Sequence, residues 1–370
     1  MKNKLGIYVH VPFCAAKCAY CDFYSLAGKP ELWDIYVYRM LADLQTKAAE
    51  CQDWTIDTIY FGGGTPSLLG GKRIAKMLDT IRHAYHVQTD AEITVEANPD
   101  SMTDAFLSQT YAAGVNRLSI GIQSADDTVL QALGRVHTFS QAKDAFFRAR
   151  KAGFDNISVD LMYALPGQTI GQLEQSIDAV LALQPEHISC YGLTLEPRTP
   201  LGRQHPILPD EDAQADMYLL LCEKMKQSGF EHYEISNFAK PDSYSRHNSR
   251  YWKQSPYLGF GPGAHGDWQG MRYELPRDLP AWLAGTLQPI PEDTEPIDRA
   301  VEYVMLSLRT AEGFDSAYYQ THFLRSAQPI EQILSHLPKQ YIEHTSSRWH
   351  LTDSGFLISN AILVEVLEEI

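Results

Sequence analysis

The chain has 370 residues, 44% of them apolar and 21% charged, which fits a globular protein with room for one large domain and a smaller companion. With 46 acidic against 31 basic side chains, a net charge of −15 and a pI near 5.3, it is a poor match for a protein that wraps nucleic acid or clings to an anionic membrane by bulk electrostatics. No secretory pattern precedes the first cysteines and the apolar runs, such as "AILVEVL", are too short to span a bilayer. The expectation is therefore a cytoplasmic protein whose six cysteines are thiols or metal ligands rather than disulfides.

In chain order, "GIYVHV", "TIYF", "EITVEA", "RLSIGIQ", "NISVDLMY" and "HISCYGL" read as strands starting near residues 6, 58, 92, 117, 156 and 187. Between them, stretches such as "ELWDIYVYRMLADLQTKAA" and "GGKRIAKMLDTIRHAY" repeat apolar residues every three or four positions, as amphipathic helices do. Repeated βα units predict an α/β fold: a partial (β/α)6 barrel, like a TIM barrel left open, over residues 1–230. "EPRTPLGRQHPILPDED" reads as a connector, "AQADMYLLLCEKMKQSGF" as a helix ending at Gly229, and "SPYLGFGPGAHG" as a glycine-rich turn within a connecting region, 231–290. Residues 291–370 read as a smaller, mainly helical domain: helices at "RAVEYVMLSLR" and "PIEQILSHL", a hairpin around "SRWHLTDSG", and a last helix. That order is like a winged helix, but without a basic stripe it predicts no nucleic-acid partner.

The unusual residues gather at strand ends. Three cysteines follow the first strand in "IYVHVPFCAAKCAYCDF", "GGGTP" follows the second, and Glu96, Gln123, Asp160 and Tyr191 with Gly192 lie at or near the ends of the next four. In a βα barrel those ends form one mouth, where sites are built. Cys14, Cys18 and Cys21 supply three thiolates in eight positions, while Cys51, Cys190 and Cys222 stand alone in the sequence. A structural zinc site wants four ligands; three corners of an iron–sulfur cubane can be held by such a loop, leaving one iron open to a small molecule.

The C-x-x-x-C-x-x-C loop, with aromatic Tyr20 between its last two cysteines, resembles the signature of the radical SAM superfamily. The resemblance implies a 4Fe-4S cluster on the three cysteines. It also implies S-adenosylmethionine chelated to the open iron, cleaved to a deoxyadenosyl radical when an electron donor reduces the cluster. It further implies that Gly63, Gly64 and Thr65 receive the methionine amino group. Glu96, Gln123, Arg135 and Asp160 are similar to residues of the coproporphyrinogen-oxidase-like branch that contact the rest of that ligand, a role in which an arginine suits a carboxylate and acidic side chains suit ribose hydroxyls. Tyr8, Gly192 and His265 join them by the same resemblance.

Within that branch, anaerobic coproporphyrinogen III oxidases carry an N-terminal extension and a further cysteine two places after the third. Here the signature starts at Tyr8, and Phe23 stands in the cysteine's place. Both features resemble instead the shorter heme chaperones of the HemW type, as does the His-Asn-x-x-Tyr-Trp segment in "SRHNSRYW". There His247 offers an imidazole, Asn248 flanks it, and Tyr251 with Trp252 offer flat apolar faces for a porphyrin. The expected partners are heme and heme-accepting apoproteins, respiratory enzymes at the membrane among the candidates, and a homodimer is left open. The alternatives are an oxygen-independent coproporphyrinogen III oxidase, or a cluster-sensing regulator that binds nucleic acid.

Overall fold

A computed structural model describes residues 3–292 and 298–370. Its main sheet has twelve strands. Six parallel strands form the wall of an open barrel: β1 (Asn3–Val11), then β4 (Trp54–Gly63), β5 (His86–Ala97), β6 (Arg117–Gln123), β7 (Ile157–Tyr163) and β8 (His187–Gly192), after the two-residue pair β2 (Phe13–Cys14) and β3 (Leu26–Ala27). Beyond β8 lie the antiparallel β10 (Asn237–Ala239) and β9 (Glu231–Glu234). On the other side β11 (Tyr257–Phe260) runs parallel to β1, followed by β12 (His265–Trp268), β13 (Met271–Glu274) and β14 (Ile290–Pro291), all antiparallel to their neighbours.

Each barrel strand alternates. Ile7, Val9, Ile59, Phe61, Val95, Leu118, Ile120, Val159 and Ile188 are fully buried in one apolar core. Their polar neighbours one residue away turn into the lumen, where Tyr60 bonds Glu96, Ser119 bonds Asp160, His187 bonds Ser158 and Thr58 bonds His247. The pleat turns successive side chains to opposite faces, so a run that looks uniformly strand-like sends its apolar half outward under the helices and its polar half inward. Among the covering helices, α1 (Trp33–Ala48) buries Tyr36, Val37, Met40, Leu44 and Ala48, a helical stripe. The others are α2 (Gly71–Ala84), α3 (Asp104–Ala112), α4 (Asp127–Ala132), α5 (Phe139–Ala152) and α6 (Ile170–Leu181), with α5 and α6 each started by a Thr/Gln capping box. Burying one such Ile or Leu is worth roughly 1.5–3 kcal/mol, so Ile120→Ala is a change this wall would feel.

"YLGF", expected as part of a turn, is strand β11, in register with β1 from Gly6↔Tyr257 to Val9↔Phe260. A side chain on Gly259 would come within 1.9 Å of the His265 carbonyl oxygen, so this glycine marks a close backbone approach inside a sheet rather than a turn. The turn proper follows, with Gly261 and Gly263 at φ 92° and 86°.

The short α7 (Pro200–Gln204) and the long α8 (Glu211–Gln227) follow the barrel, and α9 (Arg246–Trp252) comes after β10. Past α10 (Leu279–Leu283), the C-terminal unit holds α11 (Arg299–Ser307), α12 (Ser316–Phe323) and α13 (Gln328–His336). It continues with the expected hairpin, β16 (Ile342–Thr345) with β17 (Arg348–Leu351), which β15 (Phe314–Asp315) extends to three strands, then α14 (Asp353–Leu357) and α15 (Ser359–Glu368). Among the described residues no helix is long and apolar enough to cross a membrane.

Candidate functional site

The loop that carries the cysteines is pinched at its base by the β2–β3 pair and tied at its tip. Ala19 donates its N–H to the Leu133 carbonyl at 3.0 Å and accepts one from Leu201 at 2.8 Å, so the segments after β6 and β8 hold it from two sides. Around Ala19 and Tyr20 a small apolar cluster of Leu133, Met162, Leu165, Leu193 and Leu201 closes the flank. Among the described residues the only three metal-binding donors brought within 4.8 Å of one another are those of Cys222, His232 and Asp353. The loop thiols of Cys14, Cys18 and Cys21 are thus too widely spaced to close on one ion, as corners of a larger cluster are.

A cavity of ≈ 330 Å³ opens beside them. Its wall includes all three cysteines with Tyr20, Gly63, Gly64, Thr65, Glu96, Gln123, Arg135 and Asp160, eleven of the residues expected from the sequence. Asn98, Ser119, Gly121 and Met162 line it too and were not anticipated. Stepping by two back along the strand from Gln123 reaches Gly121 and Ser119, and Asn98 follows Glu96 by the same step, so the strand period alone would have found them.

The glycines answer first to the protein itself. Gly63 has φ 105°, and a Cβ there would lie 2.5 Å from the His10 ring; on Gly64 it would lie 2.6 Å from the Phe13 carbonyl oxygen. That close approach lets Gly64 and Thr65 donate to the Val11 and Phe13 carbonyls at 2.8 and 2.7 Å, seating the segment against the cysteine strand, with the Thr65 hydroxyl 3.6 Å from Cys14 Sγ. Gln123, at φ 72°, takes a backbone conformation uncommon for a residue with a side chain, and does so at the cavity wall.

Charge is arranged around this space. Glu96 accepts from the Tyr60 hydroxyl at 2.8 Å and the Gly63 N–H at 3.1 Å, yet burial outweighs both and raises its pKa to about 7. Asp160, receiving the Ser119 hydroxyl at 3.2 Å, is raised by burial to about 6. Opposite, Arg135 places Nη1 3.5 Å from Cys18 Sγ and Nη2 2.9 Å from Asn98 Oδ1. Three thiolate donors with an open side, a cation next to one of them and two buried carboxylates fit a cluster and a small zwitterionic cation between those groups.

The remaining expected residues lie elsewhere. Tyr8 sits one layer down, donating its hydroxyl to His10 Nδ1 at 3.2 Å, since His10 Nε2 is engaged with the Tyr24 carbonyl at 2.9 Å. Gly192 lies against the Tyr163 ring outside the cavity wall. His265 pairs with Glu292 and lines a separate charged cavity with Asp267, Arg272 and Glu302.

The HNxxYW segment forms α9, which plugs the amino-terminal end of the barrel, away from the cysteine mouth. Glu92 caps it, accepting the N–H groups of Arg246 and His247 at 2.9 Å each, and Arg250 pairs with Asp57. His247 is 0% exposed, with Nδ1 2.9 Å from the Thr58 hydroxyl and Nε2 3.0 Å from that of Tyr251, and burial drives its pKa down to about 3. In this conformation both ring nitrogens are engaged and the ring is buried. Asn248 is half-buried, and Trp252 lines a small cavity with Tyr233, Tyr244 and Thr310.

An open parallel barrel with a three-thiol loop at its mouth defines a class, and residues 8–180 match the family model described as Radical SAM superfamily. The heme chaperone HemW of Escherichia coli (strain K12) is 35% identical over 372 residues, covering 99% of this chain and 98% of its own; that of Bacillus subtilis (strain 168) is 36% identical, covering 98% and 99%. The solved coproporphyrinogen III oxidase of Escherichia coli superposes with a TM-score of 0.85 at 20% identity, covering 100% of this chain and 91% of its own, which is a likeness of fold. The chain belongs to the heme chaperone HemW family of radical SAM proteins.

Proposed function

We propose that this protein is a cytoplasmic heme chaperone: it holds a 4Fe-4S cluster on Cys14, Cys18 and Cys21 and S-adenosylmethionine in the mouth cavity, and carries heme to acceptor proteins. The end-to-end similarity to the named heme chaperones carries this reading. When bound, the cluster supplies an electron and an open coordination position. The chain's own work is to orient. Glu96, with the Gly63–Thr65 segment beside it on the cavity wall, suits an ammonium, Asp160 suits ribose hydroxyls, and Arg135 suits a carboxylate.

Heme contact through His247, Asn248, Tyr251 and Trp252 requires a conformer in which α9 leaves the barrel floor. Opening breaks the bond of His247 to Thr58, those of Arg250 to Thr58 and Asp57, and the two that Glu92 accepts, at about 1 kcal/mol each or more for those to a carboxylate. That free energy is subtracted from the heme affinity, which suits a carrier that must let go. Respiratory enzymes at the membrane are the acceptors this reading favours.

The test is anaerobic reconstitution, then heme titration and coproporphyrinogen III turnover on the same samples. Stoichiometric heme binding without decarboxylated product is expected. Reconstituted protein with neither cluster absorbance nor heme binding would sink the proposal, and decarboxylated product would make the chain an oxidase.

A further inference from the structure

Cys222 looks isolated in the sequence, yet the fold brings it to a second polar centre. From α8 its sulfur lies 3.9 Å from Nδ1 of His232, which stands on the edge strand β9. The same Nδ1 lies 2.7 Å from Oδ1 of Asp353, the first residue of α14 in the C-terminal unit. Sulfur, imidazole nitrogen and carboxylate oxygen all fall within 4.8 Å of one another. Two neighbouring elements and a third from far along the chain thus bring one donor each to a common point.

We infer that Cys222, His232 and Asp353 form a binding site for a borderline divalent cation of the zinc class, distinct from the cysteine mouth. A thiolate, an imidazole and a carboxylate are the donor set zinc takes, at about 2.0–2.3 Å each, so ligands around one ion stand about 3–4 Å apart, as these nearly do. Three protein ligands leave a fourth position for water, and the Asp353 side chain, 42% exposed, gives that water and the ion a way in. The thiol and ring are sealed from the other side: Cys222 is buried, and His232 is stacked on Phe238 at 4.2 Å and edged by Phe356 at 5.0 Å.

A hydrogen-bonded His–Asp pair alone would not account for the Cys222 thiol, which turns toward the nitrogen that Asp353 already holds. Coordination at Nδ1 puts the ring proton on Nε2 and gives all three donors one shared role. Binding releases the Cys222 proton to solvent and involves no change of oxidation state. The ion would clamp α14 to α8 and β9, fixing the C-terminal unit on the barrel.

The test uses the full chain with its cluster reconstituted, so that the mouth cysteines are occupied, exposed to zinc sulfate and then desalted. Elemental analysis is expected to find about one retained zinc per chain beside the cluster iron, and added zinc to raise the melting temperature. Cys222→Ser and Asp353→Asn are expected to keep the iron, which reports an intact barrel, and to lose both the zinc and the thermal shift. Wild-type protein that retains no zinc, or a Cys222→Ser protein that retains as much as wild type, overturns the inference. Should Cys222→Ser lose its iron as well, Asp353→Asn, altered only at a half-exposed position, decides.

Discussion

His247 Nδ1 lies 2.9 Å from the Thr58 hydroxyl, which in turn accepts the Nε–H of Arg250 at 2.9 Å. Both ring nitrogens are thus engaged, Nδ1 with Thr58 and Nε2 with the Tyr251 hydroxyl 3.0 Å away. The histidine of the HNxxYW segment is thereby a keystone of the barrel floor, stacked on Tyr60 with ring centroids 5.2 Å apart.

Removing that ring should be felt in the fold. His247→Ala deletes a buried side chain and leaves hydroxyls of Thr58 and Tyr251 short of a partner, so unfolding free energy should fall by about 2–4 kcal/mol in a denaturant titration. Amides of α9 should exchange slowly in the heme-free protein and lose protection when heme is added. Unchanged stability would show the floor to be slack, and α9 protection that ignores heme would remove the opening from the proposed function.

Much of the mouth was legible because its logic is local. Strand runs were apolar enough to recognise, their ends fell where Cys14, Gly63, Glu96 and Gln123 stand, and a parallel barrel gathers such ends by construction. The floor was not legible. That His247 would turn inward depends on Glu92 and Thr58, more than 150 residues earlier, meeting α9 across the lumen. Cys222, His232 and Asp353 hide for the same reason. β11 was missed because glycine at a close backbone approach looks, in sequence, like glycine in a turn.

Glu96 and Asp160 make binding in the mouth sensitive to pH. Burial raises their pKa values from 4.5 to about 7 and from 3.8 to about 6, so folding favours their protonated forms. The stability this brings is complete below the unfolded values and is lost as pH climbs through about 6 to 7. A cationic ligand reverses the preference. S-adenosylmethionine affinity should therefore strengthen as pH rises from 5.5 to 7.5, by up to about tenfold per unit for each carboxylate that must ionise, with protons released on binding. Isothermal titration in buffers of different ionisation enthalpy measures both. In Glu96→Gln the affinity should be weaker and its pH dependence shallower; a flat wild-type profile would separate these carboxylates from the ligand.

Burial raises those carboxylates, and Arg117 is one of the groups that restrain the rise. It is 2% exposed on the lumen face of β6, its Nε lacks a partner, and its charge lowers the pKa of both Glu96 and Asp160. Arg117→Met should move the midpoint of the affinity profile to higher pH, while Arg117→Lys should restore most of it. A methionine variant that binds more weakly at every pH with the midpoint unmoved would assign Arg117 a purely structural role.

Gly64 tests whether the cysteine loop depends on the segment beneath it. A methyl group there would meet backbone oxygens of Phe13 at 2.6 Å and Val11 at 2.7 Å, and neither can rotate away as a side chain could. The Phe13–Cys14 strand must shift instead, breaking the Gly64 and Thr65 hydrogen bonds that hold it and moving the first thiol relative to Cys18 and Cys21. Gly64→Ala should therefore retain less iron and sulfide than wild type after reconstitution and desalting. Gly171→Ala, at the exposed start of α6 with nothing within 4 Å of the added carbon, should retain as much as wild type and fold slightly more stably, by about 0.4–1 kcal/mol. Equal iron in both variants would mean that the loop holds its cluster geometry without support from the glycine segment.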